Sequence, residues 1–491
     1  MKINSYNISR ITLGLLLLII LVYVSLRAHH ISFTFDESVT YLSIPGEKII
    51  EDSANNHLLN TFLMRICNNL FGNSEFSLRL PNVLSFLVYL IFCYKILIRS
   101  KKPVVIFAGF ALLVLNPYLL DFFGLARGYG LSLGPALASL YFLLRDETYT
   151  SAKRFLLNFA ISSSLSLLAS FANLNIINLS ISVLIVFSAE FLFLVVRRTI
   201  KLNIKNIVAV IFIYLVNAAL LFILIQRLLM LQNTNQLYFG GSDGFIPDTL
   251  RMLIYCSIYF SDYGENFETV MRILIIVLFA LMVVYQFLFR KINPFSKITV
   301  ILLLMIIAPI LQNYFFAALY PVARTSLMYL PLFGLCLFYF IEHLVIQAKK
   351  VPRIIIYSLV FVLVCGPLTY HFIENINFQR TSEWSYDANT KQVMLEINKT
   401  HQEQENLKKR LTVSNSWLFE PTMNYYRIRY SMDFIDPLNE DGVKNNTDFI
   451  YCFKDEKDNL PLGDSLRIID AFKNTDTYLI RRVIRKLEFS K

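Results

Sequence analysis

Eleven times along its 491 residues this chain passes through an almost uninterrupted apolar run. Each run approaches the roughly 20 residues needed to cross a bilayer core as a helix. The first runs from Ile11 to Leu26, and the others cover residues 81–98, 104–120, 128–144, 155–171, 176–196, 207–225, 270–289, 298–318, 326–346 and 354–370. Only 16% of the residues are charged, against roughly 25% in soluble domains. The segment after the first run, Ser25-Leu26-Arg27-Ala28-His29-His30, makes a poor small-residue cleavage site, so that run reads as a retained anchor rather than a signal peptide. The sequence therefore predicts a polytopic α-helical membrane protein of about eleven spans.

Charge in the connections tests that count. Arg99, Lys101 and Lys102 follow the second run; Arg145, Lys153 and Arg154 follow the fourth; Arg197, Arg198, Lys201 and Lys205 follow the sixth. Arg290, Lys291 and Lys297, then Lys349, Lys350 and Arg353, continue the alternation on the same side. The positive-inside rule makes that side cytoplasmic. A net charge of +11 thus serves topology, and nucleic acid is not expected as a partner. The opposite side receives two long loops, 29–80 and 227–269. The first carries Asp36, Glu37, Glu47, Glu51, Asp52 and Glu75.

With an odd number of spans, residues 371–491 also fall on the external side. They are polar and contain both tryptophans, Trp384 and Trp417. Residues 411–414, 448–453 and 476–480 read as strands, and 382–399 and 465–473 as helices. Two domains are expected: a membrane domain, 1–370, including both external loops, and a small external α/β domain, 371–491. The six cysteines show no CxxC spacing, so no zinc or redox motif is predicted.

Four polar constellations stand out on the external side. Asp36-Glu37 follows the first span. Adjacent carboxylates diverge by about 100° on a helix, so one can serve as a general base while the other orients a neighbouring group; an acidic solvent loop explains them equally well. His57 lies in Asn55-Asn56-His57-Leu58, where a capping histidine is the plainer reading, and Arg79 precedes Pro81 at the mouth of the second span. Arg127 and Tyr129 sit in Ala126-Arg127-Gly128-Tyr129, and Arg324 in Tyr320-Pro321-Val322-Ala323-Arg324. Guanidinium groups at a membrane face suit a phosphate, although an Asp121–Arg127 pair closing a turn is the structural alternative.

The order of these pieces resembles the GT-C-fold glycosyltransferases that take a sugar from a polyprenyl-phosphate carrier, a family including protein O-mannosyltransferases and the lipid A aminoarabinose transferase. The resemblance rests on Asp36-Glu37, His57-Leu58, Phe71-Gly72 through Pro81, Ala126 to Tyr129, and Pro321 to Pro331, and covers roughly residues 10–340. Two departures accompany it: His57-Leu58-Leu59 stands where relatives often carry His-Pro-Pro, and better-known members have thirteen spans. The resemblance implies an inverting transfer to an acceptor hydroxyl with Asp36 as base and Glu37 positioning it or assisting a metal. It gives the carrier phosphate to Arg127 and Arg324, helped by Arg79, and adds His57 and Tyr129 to the substrate site. A divalent ion is an open cofactor; the acceptor is a glycan, a lipid or a protein hydroxyl. The implied location is a bacterial inner membrane with the active site facing the periplasm. A transporter or flippase for an anionic lipid-linked substrate is the alternative; it would favour polar residues at mid-membrane, whereas these runs are apolar at their centres.

Overall fold

The computed structural model describes residues 5–44, 53–145, 151–200, 203–289, 292–403, 410–463 and 465–482. Of the charges read above, Glu47, Glu51, Asp52, Lys201, Arg290 and Lys291 lie outside them. Helices α1 (Ser5–His30), α2 (Phe35–Leu42), α3 (Leu58–Phe71) and α4 (Glu75–Leu97) come first. They are followed by α5 (Pro103–Val114), α6 (Pro117–Phe123), α7 (Gly128–Leu143), α8 (Ala152–Ala172), α9 (Ile177–Val196) and α10 (Ile204–Asn233). Then come α11 (Arg251–Ile258), α12 (Phe267–Phe289), α13 (Pro294–Phe316), α14 (Tyr329–Gln347), α15 (Lys350–Val360) and α16 (Gly366–Glu374).

All eleven apolar runs are helical, and the protein is an integral membrane protein. Among the described residues nine helical segments are long and apolar enough to cross a bilayer unaided, and α5 with α6 makes a tenth, bent by 63°. The bend has a local cause. Asn116 accepts the Leu119 amide at 3.0 Å and so caps a new helix, while Pro117 at its first position lacks an amide hydrogen. The remaining expected span is α7, whose 16 residues reach about 24 Å, short of the roughly 30 Å hydrocarbon core.

Contacts divide the chain into two units: residues 1–25, 52–60 and 80–376 form one, and residues 26–51, 61–79 and 377–491 the other. In the first unit α7 packs on α8, α8 on α9 and α10, and α13 on α9 and α14. Small residues let these backbones approach. Ser139 and Ser162, both fully buried, donate to each other's carbonyls at 2.7 and 2.8 Å across α7 and α8. Phe212 and Leu215 on α10, and Val270 and Ile273 on α12, face outward, as lipid-solvated helices require. The expected loop 227–269 is largely structured, because α10 continues to Asn233 and α11 lies within it.

The second unit builds α17 (Thr390–Gln402), α18 (Glu420–Arg429) and α19 (Lys454–Asp458) around a four-stranded sheet. Its strands β1 (Val413–Asn415), β2 (Phe449–Phe453), β3 (Leu466–Phe472) and β4 (Thr477–Arg482) run in the order β1-β2-β4-β3. β1 pairs parallel to β2, and β4 antiparallel to both β2 and β3. Ile450, Cys452, Leu466 and Ile480 form its core. One expectation is corrected here: residues 465–473 are strand, not helix. Ile468 and Ile469 are β-branched and prefer extended backbone. The short Lys473–Asp476 turn, with Asp476 at φ +56°, folds them back onto β4 so that Ile468 faces Ile480.

Candidate active site

In the first unit, chemistry gathers on the segment 55–60 that enters α3. Arg127 reaches Asn55 through Nη2, and Arg227 donates from Nη2 to the Asn56 carbonyl at 2.9 Å. Asn60 donates to the Ala126 carbonyl at 2.8 Å and accepts from Asn82 at 3.1 Å. His57 meets the Tyr129 ring edge-on, centroids 4.7 Å apart, and Arg127 lies 5.9 Å from that ring's centre. Gly128 makes the seat possible. A Cβ there would stand 2.0 Å from the Ala172 carbonyl and 2.5 Å from the His57 ring, so only glycine fits between Arg127 and Tyr129.

Arg324 sits on the short 3-10 turn Ala323–Ser326 with its guanidinium 4.3 Å above the Phe239 ring. The Gly240–Gly244 turn is tied to the same place, since Gly241 and Tyr320 exchange backbone hydrogen bonds at 3.0 and 2.8 Å. Asp121 accepts from the Tyr259 hydroxyl at 2.8 Å.

His57 reports the electrostatics of this region. Burial, then the positive charges of Arg127, Arg324 and Arg227, hold its pKa well below the ordinary 6.5, with a hydrogen bond to the Ala172 backbone opposing them. Three guanidinium groups therefore act on one neutral imidazole; His57, Arg127 and Tyr129 are packed together, and the charge of Arg324 is felt there. Arg227 is an addition. An unfolded chain protonates this histidine as pH falls through 6.5, whereas the folded chain resists, so acid favours unfolding. We expect the unfolding midpoint to fall between about pH 7 and pH 5.5, and His57→Gln to show a shallower acid slope. An unchanged slope in that variant would remove His57 from this role.

The second unit holds Asp36, Glu37 and Arg79. Thr34 precedes α2, Asp36 is its second residue and Glu37 its third. The Glu37 carboxylate reaches back to the Thr34 amide and hydroxyl at 3.0 and 2.9 Å, closing the first turn as a capping residue does. Arg79 grips the same carboxylate with two donors, at 2.8 and 2.6 Å. Its other three N–H groups bind the carbonyls of Ala28, Ile31 and Ser32 at 3.1, 2.8 and 2.9 Å. All five donors of the guanidinium are thus engaged within this unit. The expected phosphate role leaves Arg79 no spare hydrogen, and the metal-assisting reading of Glu37 meets a carboxylate already filled by four donors. Both side chains are fully buried. Asp36 is 5% exposed and its carbonyl accepts from Thr40 Oγ1 at 2.9 Å. Among the described residues no three His, Cys, Asp or Glu side chains gather as a metal-ligand set.

The second unit also holds a residue the sequence did not single out, Asp387. It is 1% exposed and accepts the Phe35 amide at 2.6 Å.

Helical spans and a small sheet-bearing unit make this a polytopic α-helical membrane protein, and its GT-C-like fold rests on its structural likeness to ArnT. The chain is similar in structure to ArnT from Cupriavidus metallidurans bound to undecaprenyl phosphate, with a TM-score of 0.53 and 10% identity over 97% of this chain and 98% of that one. The apo form of ArnT from Cupriavidus metallidurans gives the same TM-score and identity over 96% and 98%. No family model and no curated protein matches the sequence.

Proposed function

We propose that this chain is a membrane glycosyltransferase that moves a sugar from a polyprenyl-phosphate donor to an acceptor hydroxyl at the non-cytoplasmic face, with inversion. The observation that carries the proposal is the anchoring of Arg127 and Arg227 on Asn55 and Asn56, directly beside the buried His57–Tyr129 pair. The shared fold adds to it, because the ArnT neighbour is described as bound to undecaprenyl phosphate.

Sugar linked to a polyprenyl phosphate is already activated, so the protein contributes alignment, a base and positive charge for the departing phosphate. The arginines supply the charge. Neutral His57 and Tyr129 shape the phosphate seat, and the Asn55–Asn60 segment fixes two of the guanidinium groups. Asp36 takes the acceptor proton while the acceptor oxygen bonds to the anomeric carbon. The bond from that carbon to the phosphate oxygen breaks, its electron pair leaving with the polyprenyl phosphate. Glu37 and Arg79 hold the Asp36 segment in shape rather than touching substrate. A single displacement makes no glycosylated enzyme.

The direct test is purified protein in lipid with a radiolabelled polyprenyl-phosphate sugar and a hydroxyl acceptor. Release of polyprenyl phosphate with inverted product supports the reading. Movement of intact donor across vesicles without consumption would establish transport instead. Because a hydrogen bond to a charged group contributes about 1.5–3 kcal/mol, Arg227→Ala should raise the donor KM about 10- to 100-fold. Steady-state kinetics across donor concentration checks this, and an unchanged KM would exclude Arg227 from the phosphate seat.

A further inference from the structure

The backbone that presents Asp36 is held by side chains arriving from the far end of the sequence. Phe35 is the first residue of α2, so its amide has no acceptor within the helix. Asp387 supplies one from 352 residues away at 2.6 Å. Two residues earlier the Phe33 amide donates to the Tyr426 hydroxyl at 2.8 Å, and the Phe33 ring stacks on Tyr425 with centroids 4.1 Å apart. Between them, the Thr34 amide is taken by Glu37. Every amide from Phe33 to Phe35 is thus bound by a named side chain, and two of those three side chains belong to residues 387–426.

Asp387 is itself tightly placed. Thr390 Oγ1 approaches its second oxygen at 3.4 Å, and Thr422, which also hydrogen-bonds Asp387, lies 3.4 Å from Ser38 Oγ on α2. We infer that Asp387 is a positioning residue for Asp36: by accepting the Phe35 amide it fixes the helical turn from which the base works, so residues 377–491 set the aim of the reaction. The inference rests on the proposed role of Asp36 as base. Burial holds the Asp387 carboxyl well above its ordinary range, helped by the charge on Glu37 and opposed by the bonds from Phe35, Thr422 and Thr390. An amide oxygen accepts the same hydrogen without carrying a charge, so Asp387→Asn separates the acceptor role from a role of charge.

The test compares Asp387→Ala, Asp387→Asn, Tyr426→Phe, Asp36→Asn and the double variant Asp36→Asn/Asp387→Ala, all as full-length protein in lipid, by donor kinetics and thermal unfolding. Misplacing a reacting group by about 1 Å costs about 10²-fold in rate. Asp387→Ala should therefore lose about 10²-fold in kcat with the donor KM within about 2-fold of the parent. Asp387→Asn should stay within about 3-fold of the parent, because its amide oxygen still accepts the Phe35 hydrogen. In the double variant Asp387→Ala should cost nothing beyond Asp36→Asn, since residues acting as a unit are not additive. A folded Asp387→Ala with parental kcat overturns the inference, as does Asp387→Asn being equally slow or the two losses adding. Should Asp387→Ala fail to fold, Tyr426→Phe carries the test. It keeps the ring but removes the Phe33 acceptor, and should lower kcat about 10-fold at constant KM; parental kcat there overturns the inference. Parental turnover by Asp36→Asn would instead strike the base assignment itself, whereas an inactive Asp36→Asn beside a fully active Asp387→Ala strikes only the positioning.

Discussion

Replacing Asp36 by asparagine should stop sugar transfer while leaving the fold intact. Removing a general base costs about 10²- to 10⁴-fold in rate, equivalent to about 2.7–5.5 kcal/mol of barrier. The stability term is smaller. Asp36 sits in the first turn of α2, where a negative charge contributes about 0.3–1 kcal/mol through the helix dipole. The bonds that hold this turn, from Phe35 to Asp387 and from Thr40 to the Asp36 carbonyl, use backbone atoms that asparagine keeps. Activity and stability are therefore expected to separate by several kcal/mol. Donor consumption measured beside the unfolding midpoint checks this. Full turnover by a folded variant would exclude Asp36 as the base.

The largest expected loss of stability lies at Arg79. Its ion pair with Glu37 is fully buried on both sides, and removing one partner of such a pair costs about 3–5 kcal/mol, because the remaining charge stays desolvated. Arg79→Ala should unfold the second unit or lower its melting point sharply. Replacing both members of a buried pair with apolar residues often restores stability. Here recovery should be incomplete, since Arg79 also serves the carbonyls of Ala28, Ile31 and Ser32 and each would lose its donor. The comparison of Arg79→Met with Arg79→Met/Glu37→Met by thermal unfolding measures the difference. A double variant as stable as the parent would show that the carbonyl bonds contribute nothing.

The apolar helices were legible because length and hydropathy are strong local signals, and all eleven runs are helical. The break at Asn116-Pro117 was written in two residues but hidden inside a run read as one span. β3 looks helical in sequence because Ile468 gains its partner, Ile480, only in the folded sheet. Arg227 is legible in principle. A lone guanidinium in Leu224-Ile225-Gln226-Arg227-Leu228-Leu229 interrupts an apolar helix and is costly there, yet it fell where a loop was expected to begin. The grip of Arg79 on Glu37 joins residues 42 apart in sequence, and the bond from Phe35 to Asp387 joins residues 352 apart. No spacing rule reaches either. A carboxylate in a polar C-terminal segment looks like surface until its burial is known.

The interleaved membership of the second unit bears on biogenesis. The segment with Asp36 leaves the ribosome well before the side chains that hold it, Asp387 and Tyr426, which follow 352 and 393 residues after their partners Phe35 and Phe33. Arg27 likewise waits for the Arg380 carbonyl, 2.8 Å away. The second unit therefore cannot close until every helix from α1 to α16 has been made. A chain halted after α16 would carry Arg127, Arg227 and Arg324 but lack Asp387 and Tyr426, so under the proposed function such incomplete products would be inert rather than partly active.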